Sequence, residues 1–271
     1  MNLKELRVKL KSEFANNNIE TIDVDFIISE VLNLKRNELI FVNEISEIQS
    51  KQIEKYAQER MKHIPIDKLF NKAYFYGLEF YVDEDVLTPR PESENLVELA
   101  LSHIENEHYK SVLDLCCGSG CLGIAIAKNS NTIVDSADVS EKALEVSKIN
   151  MKKNNVSLNL IHSDMFDNIK NKYDVIVSNP PYIASEEIDK LDKEVKFHDP
   201  ILALDGGVDG LVFYKQIHDN LINHLNDDGI LIMEIGNEQK HDIIKIFSDM
   251  KLVDDLKDYA GNDRVLSFKL K

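Results

Sequence analysis

From Ser111 to the carboxyl end of the chain, short apolar segments alternate with segments of helical periodicity. The strand-like segments are "SVLDL", "TIVDSADV", "LNLIH", "YDVIVS", "GILIMEI" and "RVLSFKL". The helical ones are the segment after Gly120, "SEKALEVSKINMKKN" and "NEQKHDIIKIFSDM". Strands that alternate with helices of about 10 to 15 residues are typical of a doubly wound parallel sheet. We therefore expect an α/β fold whose ligands bind at the carboxyl edge of the sheet.

The first 72 residues have a different pattern. "LKELRVKLKSEF" spaces Leu3, Leu6, Leu10 and Phe14 three to four positions apart, and "VDFIISEVLNL" repeats that spacing. "SEIQ" has the spacing of a capping box before another helical segment. The aromatic and β-branched stretch "YFYGLEFYVDEDVLTP" indicates a β-hairpin. The expected domains are a helical bundle at 1–72, a hairpin linker at 73–90 and an α/β domain at 91–271.

Charge and composition exclude several functions. The net charge is −16, and because residues 1–72 carry 12 basic and 12 acidic side chains, the whole acidic excess lies in the remainder. Such a surface is unsuited to tracking nucleic-acid phosphates. The eight histidines show no metal-ligand spacing, so we expect no metal. An odd count of three cysteines predicts free thiols at Cys116, Cys117 and Cys121.

The sequence also predicts where the protein works. It has no run of about 20 apolar residues that could span a membrane. The start "MNLKELRVKLKSEF" lacks the continuous apolar stretch of a secretory signal. We expect a cytoplasmic protein that does not bind membranes.

The stretch "VLDLCCGSGCLG" places Gly118, Gly120 and Gly123 at the GxGxxG spacing after the first strand of the alternating region. This pattern lets backbone approach a ligand at a helix amino terminus, although alone it is a weak signal. Asp138 ends the next strand, where a carboxylate accepts hydrogen bonds from ribose hydroxyls. The alternative for Asp138 is the N-cap of "SEKAL", for which Ser140 is better placed.

Two cofactors suit such a turn, a dinucleotide or S-adenosylmethionine. In a dinucleotide site the first glycine directly follows the strand, whereas here Asp114 and two cysteines intervene. An acid at that point repels a pyrophosphate and attracts the ammonium of an amino acid. The sequence therefore favours S-adenosylmethionine.

The stretch "YDVIVSNPPYI" runs from a buried strand into two prolines. Each proline stiffens the loop and removes a donor while its carbonyl still accepts. Asn179 adds a side-chain carbonyl and Tyr182 adds a flat ring, so a loop with Pro180 and Pro181 between them could bind a planar amino or amide group. The alternative is a strand that simply ends at a proline.

These motifs together resemble a known family. "LDLCCGSG", "ADVSEKAL", "SDMF" and "SNPPYI", in this order, resemble a class I S-adenosylmethionine-dependent methyltransferase. "TPRPESE", "EVKFHDPILALDGGVDG", "EIGNEQ" and "DYAGNDRV" narrow the resemblance to the glutamine methyltransferases of class I peptide-chain release factors. The resemblance covers nearly the whole chain and implies a seven-stranded, mostly parallel methyltransferase sheet.

The resemblance implies a role for each site residue. The cofactor's methionine portion would lie on Cys116, Cys117, Gly118, Ser119 and Gly120, its ribose on Asp138, and its adenine on Asp164 and Met165. Met165 replaces the aromatic residue usual in the family. The substrate glutamine would be held by Asn179, Pro180, Pro181 and Tyr182, with Asn179 also beside the cofactor. Arg90 and Glu92 either close over the cofactor or form a salt-bridged helix start.

The resemblance implies methylation of the glutamine in the Gly-Gly-Gln motif of release factors, by a monomer without a nucleic-acid partner. "AYFYGLEFYVDEDVLTPR" is closer to the sister enzyme that methylates a large-subunit ribosomal protein, which is the first alternative. An amino-methyltransferase of nucleic acid is the second, and the acidic charge weighs against it. A scaffold that binds cofactor without catalysis is the third, and it would not need an amide-binding loop. The helical front would either dock the protein substrate or be a packing appendage without a ligand of its own.

Overall fold

The computed structural model describes all residues from Met1 to Lys271, and the chain divides into two units, Met1–Phe70 and Asn71–Lys271. The first unit is helical. Its helices are α1 (Leu3–Asn16), α2 (Ile22–Leu32), α3 (Glu47–Arg60) and α4 (Ile66–Phe70), with a 3-10 helix at Arg36–Phe41.

The helical unit has its own apolar core. The four apolar side chains of α1 that recur at helical spacing are each at most 3% exposed. The predicted capping box begins α3: Ser46 Oγ accepts from the Gln49 N–H at 3.2 Å, and Gln49 Oε1 accepts from the Ser46 N–H at 2.9 Å. Two backbone N–H groups at the start of the helix, which have no partner within the helix, are thereby hydrogen-bonded.

The second unit begins with the predicted hairpin. Strands β1 (Ala73–Phe75) and β2 (Leu78–Phe80) pair antiparallel around Tyr76 and Gly77. Both turn residues have positive φ, +49° and +71°, as a tight two-residue hairpin turn requires. Because the second unit begins at Asn71, the hairpin belongs to the α/β unit.

A seven-stranded sheet forms the centre of the second unit, as the predicted fold class requires. Its strands are β3 (Ser111–Leu115), β4 (Ile133–Asp138), β5 (Asn159–His162), β6 (Tyr173–Ser178), β7 (Leu225–Glu234), β8 (Lys251–Lys257) and β9 (Asp263–Lys269). The order across the sheet is β5-β4-β3-β6-β7-β9-β8. The first five are parallel, and β9 pairs antiparallel with both β7 and β8. The chain reverses its direction of progress between β3 and β6, which creates a crevice at their carboxyl ends.

Helices α5 (Glu94–Glu107), α6 (Cys121–Asn129), α7 (Glu141–Asn154), α8 (Lys193–His198), α9 (Val212–His224) and α10 (Lys240–Ile246) complete the unit. Two separate apolar clusters, one containing Leu113 and Leu231 and the other containing Val112 and Ile230, use neighbouring residues of the same strands. Because neighbouring strand residues point to opposite faces, both faces of the sheet are covered. None of the helices combines the length and apolar character needed to cross a bilayer.

The structure adds elements that the sequence did not predict. Helix α9 buries Tyr214, Ile217 and Leu221, yet its sequence "VFYKQIHDNLINH" is largely polar. Strand β8 is an edge strand whose residues are mostly exposed, and its pairing with β9 shifts between Leu252 and Asp254. An exposed edge with a register shift shows no regular apolar alternation.

Candidate functional site

A cavity of about 290 Å³ opens at the carboxyl ends of β3, β4 and β6. It is lined by the turn after β3, by the ends of β4 and β5, by the loop after β6, and by two further segments around Thr88–Ser93 and Pro200–Ala203. This is the position at which an open α/β sheet binds its ligand. The cavity therefore marks the candidate active site.

The turn from β3 into α6 forms one wall. Cys116, Gly118 and Gly120 all have positive φ, and Gly120 is the N-cap of α6 with φ +77°. A Cβ on Gly120 would lie 2.8 Å from Ser147 Oγ on α7, so glycine is required by both backbone and packing. The turn is thus compact enough to bring backbone N–H groups to the cavity.

Asp114 lies behind this turn and does not line the cavity. Its Oδ2 accepts from the Gly123 N–H at 2.9 Å, while Oδ1 is buried without a partner. Burial raises the pKa of this carboxyl to about 7, against the opposing effect of the Gly123 hydrogen bond. Asp114 therefore fixes the turn from inside and does not reach a ligand's ammonium directly.

Asp138, the last residue of β4, lines the cavity and is tied down on both sides. Its Oδ2 accepts from the Gly118 N–H and its Oδ1 from the Ser140 N–H, both at 2.8 Å. Burial raises the pKa of Asp138, and these N–H donors oppose that rise. The N-cap of α7 is Ser140, whose Oγ accepts from the Ala143 N–H, so the capping alternative for Asp138 is wrong.

Asp164 and Met165 line the side of the cavity that follows β5. Met165 has a positive φ of +44° and is held by Ser163, whose hydroxyl donates to the Met165 carbonyl at 2.9 Å. Its sulfur lies 3.8 Å from Cys116 Sγ. A flexible thioether therefore packs against the glycine turn at this wall.

The loop after β6 brings Asn179 and Pro181 to the cavity, whereas Pro180 and Tyr182 do not line it. Asn179 Nδ2 donates to Ser93 Oγ at 3.4 Å. The Tyr182 hydroxyl donates to Glu234 Oε1 at 3.4 Å, and the Tyr182 carbonyl accepts from Gln239 Nε2 at 2.8 Å. Burial, followed by the neighbouring Glu234, raises the pKa of Tyr182 to about 12, so this phenol stays protonated at neutral pH.

Arg90 also lines the cavity and pairs with Asp199, whose Oδ2 accepts from Arg90 Nη2 at 2.8 Å. Asp199 follows α8 on the segment that leads to the cavity-lining residues Pro200 and Leu202. The ion pair thus joins the two segments that border the cavity away from the sheet.

Comparison with known proteins identifies the family. A family model described as Methyltransferase small domain matches residues 94–196. A release factor glutamine methyltransferase from Clostridium acetobutylicum is 37% identical to this chain in an alignment that covers 98% of each chain. One from Streptococcus pneumoniae is also 37% identical, again with 98% of each chain covered. The chain belongs to the release factor glutamine methyltransferase family.

Solved structures share the fold of this methyltransferase at lower identity. A ribosomal protein L11 methylase from Lactobacillus delbrueckii subsp. bulgaricus has a TM-score of 0.53 and 20% identity, covering 70% of this chain and 84% of that one. A methyltransferase from Pyrococcus furiosus has a TM-score of 0.53 and 20% identity, covering 78% and 96%. These likenesses support the architecture of the sheet.

The structure of the methyltransferase brings most of the predicted cofactor and substrate residues to one cavity. Those that line it are Cys116, Cys117, Gly118, Ser119, Asp138, Asp164, Met165, Asn179 and Pro181. Three predicted residues do not: Gly120 faces α7, Pro180 is buried in the loop, and Tyr182 reaches Glu234. Glu92 also lies outside the lining, whereas Arg90 belongs to it.

Sequence reasoning about the methyltransferase missed three polar residues of this region. Thr88 lines the cavity with a buried Oγ1 that has no partner, Ser93 contacts Asn179, and Glu234 accepts from Ser93. Thr88 and Ser93 fall in "TPRPESE" and Glu234 in "EIGNEQ", two of the stretches that carried the family resemblance. Their position in these motifs was the feature of the sequence that could have identified the three residues as part of the site.

Proposed function

We propose that this methyltransferase transfers a methyl group from S-adenosylmethionine to the side-chain amide nitrogen of the glutamine in the Gly-Gly-Gln loop of class I release factors. The observation that carries the proposal is identity of 37% to release factor glutamine methyltransferases over 98% of both chains. The loop after β6 supports it, because Asn179, a side chain that can accept from an amide NH₂ group, lines the cavity.

The lining of the cavity suits this cofactor. The buried Thr88 Oγ1 has no partner within the protein, and such an atom is satisfied when a polar ligand binds. We assign the methionine portion to the Cys116–Gly120 turn, the ribose to Asp138, and the adenine to Asp164 and Met165. When bound, S-adenosylmethionine supplies an electrophilic methyl group.

The loop after β6 would orient the side-chain amide of the substrate glutamine for methyl transfer. An amide nitrogen is a weak nucleophile because its lone pair is delocalised into the carbonyl. Asn179 Oδ1 accepts from the substrate NH₂ group, which orients it and favours the positive charge that develops on nitrogen, while the buried Pro180 stiffens the loop. Tyr182 does not line the cavity and instead holds the loop in place through its hydrogen bonds with Glu234 and Gln239. As the N–C bond forms the methyl–sulfur bond breaks, and the alkylated amide releases one proton to water, so no strong base is required.

The same proposal includes a monomeric cytoplasmic protein without a direct nucleic-acid partner. Release factors act on ribosomes in the cytoplasm, and the net charge of −16 opposes binding to phosphate backbones. The relatives' names favour a release factor over a ribosomal protein as the substrate.

Mass spectrometry of candidate substrates tests the proposal. The protein and S-adenosylmethionine are incubated with an intact release factor, its Gln→Asn variant in the Gly-Gly-Gln loop, a large-subunit ribosomal protein, and DNA or RNA. We expect a mass gain of one methyl group on the release-factor glutamine alone. Asparagine is shorter by one methylene, and a misplacement of about 1 Å costs on the order of a hundredfold in rate. Methylation of the ribosomal protein or nucleic acid while the release factor is unchanged would refute the assignment.

A further inference from the structure

Glu234 is a buried carboxylate beside the candidate active site for which the proposed chemistry has no role. It ends β7, is 2% exposed, and does not line the cavity. Two hydroxyl groups donate to it, one from Ser93 to Oε2 and one from Tyr182 to Oε1. One of these donors contacts Asn179 and the other lies three residues after it in the same loop.

The protons of this group determine how Asn179 is oriented. A serine hydroxyl has one proton, and an ionised carboxylate can only accept. Because the Ser93 proton points to Glu234, Ser93 Oγ can only accept from Asn179, which must then present its NH₂ group to it. The other end of the Asn179 amide, Oδ1, therefore faces away from Ser93.

The surroundings of Glu234 keep it in place and partly offset the cost of burying its charge. The Tyr214 hydroxyl donates to the Glu234 backbone carbonyl at 3.0 Å. Arg264 lies behind it, donating to the Ile235 carbonyl at 3.2 Å and to Asp258 at 3.1 Å. Burial raises the pKa of Glu234, while the Ser93 hydrogen bond and the Arg264 charge oppose that rise.

We propose that Glu234 is a positioning residue that acts through Ser93 to hold Asn179 with Oδ1 toward the substrate amide. The inference rests on the proposed function of Asn179 as an acceptor for the glutamine NH₂ group. In Glu234→Gln, Oε1 still accepts from Tyr182 while the NH₂ group replaces Oε2 and donates to Ser93, so Ser93 turns its own proton toward Asn179. The flipped asparagine then presents a donor to the substrate. Two donors facing each other cannot form the hydrogen bond that aligns the nucleophile.

The first measurement needs no substrate. The side-chain NH₂ resonance of Asn179 in the full-length protein is assigned by its absence in Asn179→Asp, and its exchange with water is measured by NMR. We expect exchange to be about fivefold faster in Glu234→Gln, the factor expected for loss of a typical hydrogen bond. An unchanged exchange rate in the folded variant would overturn the proposed link.

The second measurement separates turnover from binding. In Glu234→Gln and Ser93→Ala we expect kcat on an intact release factor to fall about ten- to a hundredfold, with KM and cofactor affinity within about twofold. Ser93→Thr keeps the hydroxyl and should restore turnover. Because both residues act through Asn179, the double variant Ser93→Ala/Glu234→Gln should be no slower than the worse single variant.

A second buried carboxylate provides the matched control. Asp135 accepts from the Tyr173 hydroxyl at 2.6 Å and does not line the cavity, so Asp135→Asn should lower stability while leaving kcat unchanged. Equal kcat losses in Glu234→Gln and Asp135→Asn, or additive losses in the double variant, would reduce Glu234 to a packing role. If Glu234→Gln does not fold, Ser93→Ala against Ser93→Thr decides the question.

The exchange measurement and the turnover measurement together distinguish a failure of this inference from a failure of the proposed function. A wild-type protein that leaves the release factor unmethylated would refute the proposed function, while the exchange measurement would still decide whether Glu234 orients Asn179.

Discussion

At the scale of single residues, the site depends on which hydrogen-bonding groups the fold has already satisfied. Asp138 uses both carboxylate oxygens for backbone N–H groups, and Asn179 uses its NH₂ group for Ser93. Each carboxylate oxygen can accept a second hydrogen bond, and Asn179 retains Oδ1. The protein thus fixes each side chain through one set of atoms and leaves another set for ligands.

Asp138→Ala should weaken S-adenosylmethionine binding by about 1 to 3 kcal/mol, because a charged acceptor for the ribose is lost. Isothermal titration calorimetry measures the change. Asp174→Ala is the matched control, since Asp174 also accepts from backbone N–H groups, those of Lys110 and Ser111, but does not line the cavity. Equal affinity of wild type and a folded Asp138→Ala variant would remove Asp138 from the cofactor site.

Asn179→Ala should lose most turnover on an intact release factor while cofactor affinity stays within about twofold, because the lost contact is to substrate. Asn179→Asp still offers an oxygen acceptor and should remain partly active. Steady-state kinetics with calorimetry of the cofactor distinguishes the two effects. An alanine variant as active as the aspartate variant would contradict acceptor-driven alignment.

At the scale of elements, the turn between β3 and α6 is set by contacts on its inner side. A Cβ on Gly123 would lie 2.7 Å from Ser136 Oγ and 2.9 Å from Asp114 Oδ2, so α6 approaches the sheet only because this residue is glycine. The same close approach lets the Gly123 N–H donate a hydrogen bond to Asp114 Oδ2. The turn is therefore coupled to the protonation of one buried carboxyl.

This coupling predicts a pH dependence of stability. The Asp114 pKa is about 7 in the folded protein and near 4 in an unfolded chain. Between these values the unfolded chain releases a proton that the folded protein keeps, so stability falls as pH rises from about 4 to 7. From pH 5 to 8 the wild type should lose about 2 to 3 kcal/mol of unfolding free energy relative to Asp114→Asn.

Urea unfolding at both pH values measures this difference. The exposed carboxylate of Asp227 supplies the control, and Asp227→Asn should keep the pH dependence of the wild type. Parallel pH profiles for wild type and Asp114→Asn would show that Asp114 is ionised throughout this range.

At the scale of the whole molecule, charge is distributed unevenly along the chain. Residues 1–72 have equal numbers of acidic and basic side chains, while the rest of the chain carries the entire excess of acid. The cavity is lined wholly by residues of the second unit. The helical unit contributes no residue to this lining, and we propose that it docks the protein substrate.

Deletion of residues 1–70 should leave cofactor affinity within about twofold and slow methylation of an intact release factor, because a docking surface is lost. A short Gly-Gly-Gln peptide, which is too small to use that surface, should be methylated equally by both forms. Circular dichroism establishes that the truncated protein folds. A folded truncated protein that methylates the intact factor at the full rate would disprove the docking role.

The sequence predicted the features that depend on neighbouring residues. The glycine turn, the strand before Asn179 and the capping box at Ser46 are each encoded within about a dozen positions, where periodicity and turn chemistry apply. The contact between Ser93 and Glu234 joins positions 141 apart, and no local pattern records such a pairing. Strand β8 was missed because an exposed edge has no apolar face to alternate.

The three cysteines around the glycine turn bear on whether the enzyme could methylate itself. Cys116, Cys117 and Cys121 line the cavity, and burial raises the pKa of all three, that of Cys121 to about 12. A thiolate is the nucleophilic form of cysteine, and a sulfonium methyl would alkylate it irreversibly to a thioether. Because these thiols stay neutral, S-adenosylmethionine bound in this cavity, as we propose, would not lose its methyl group to the enzyme's own cysteines between encounters with substrate.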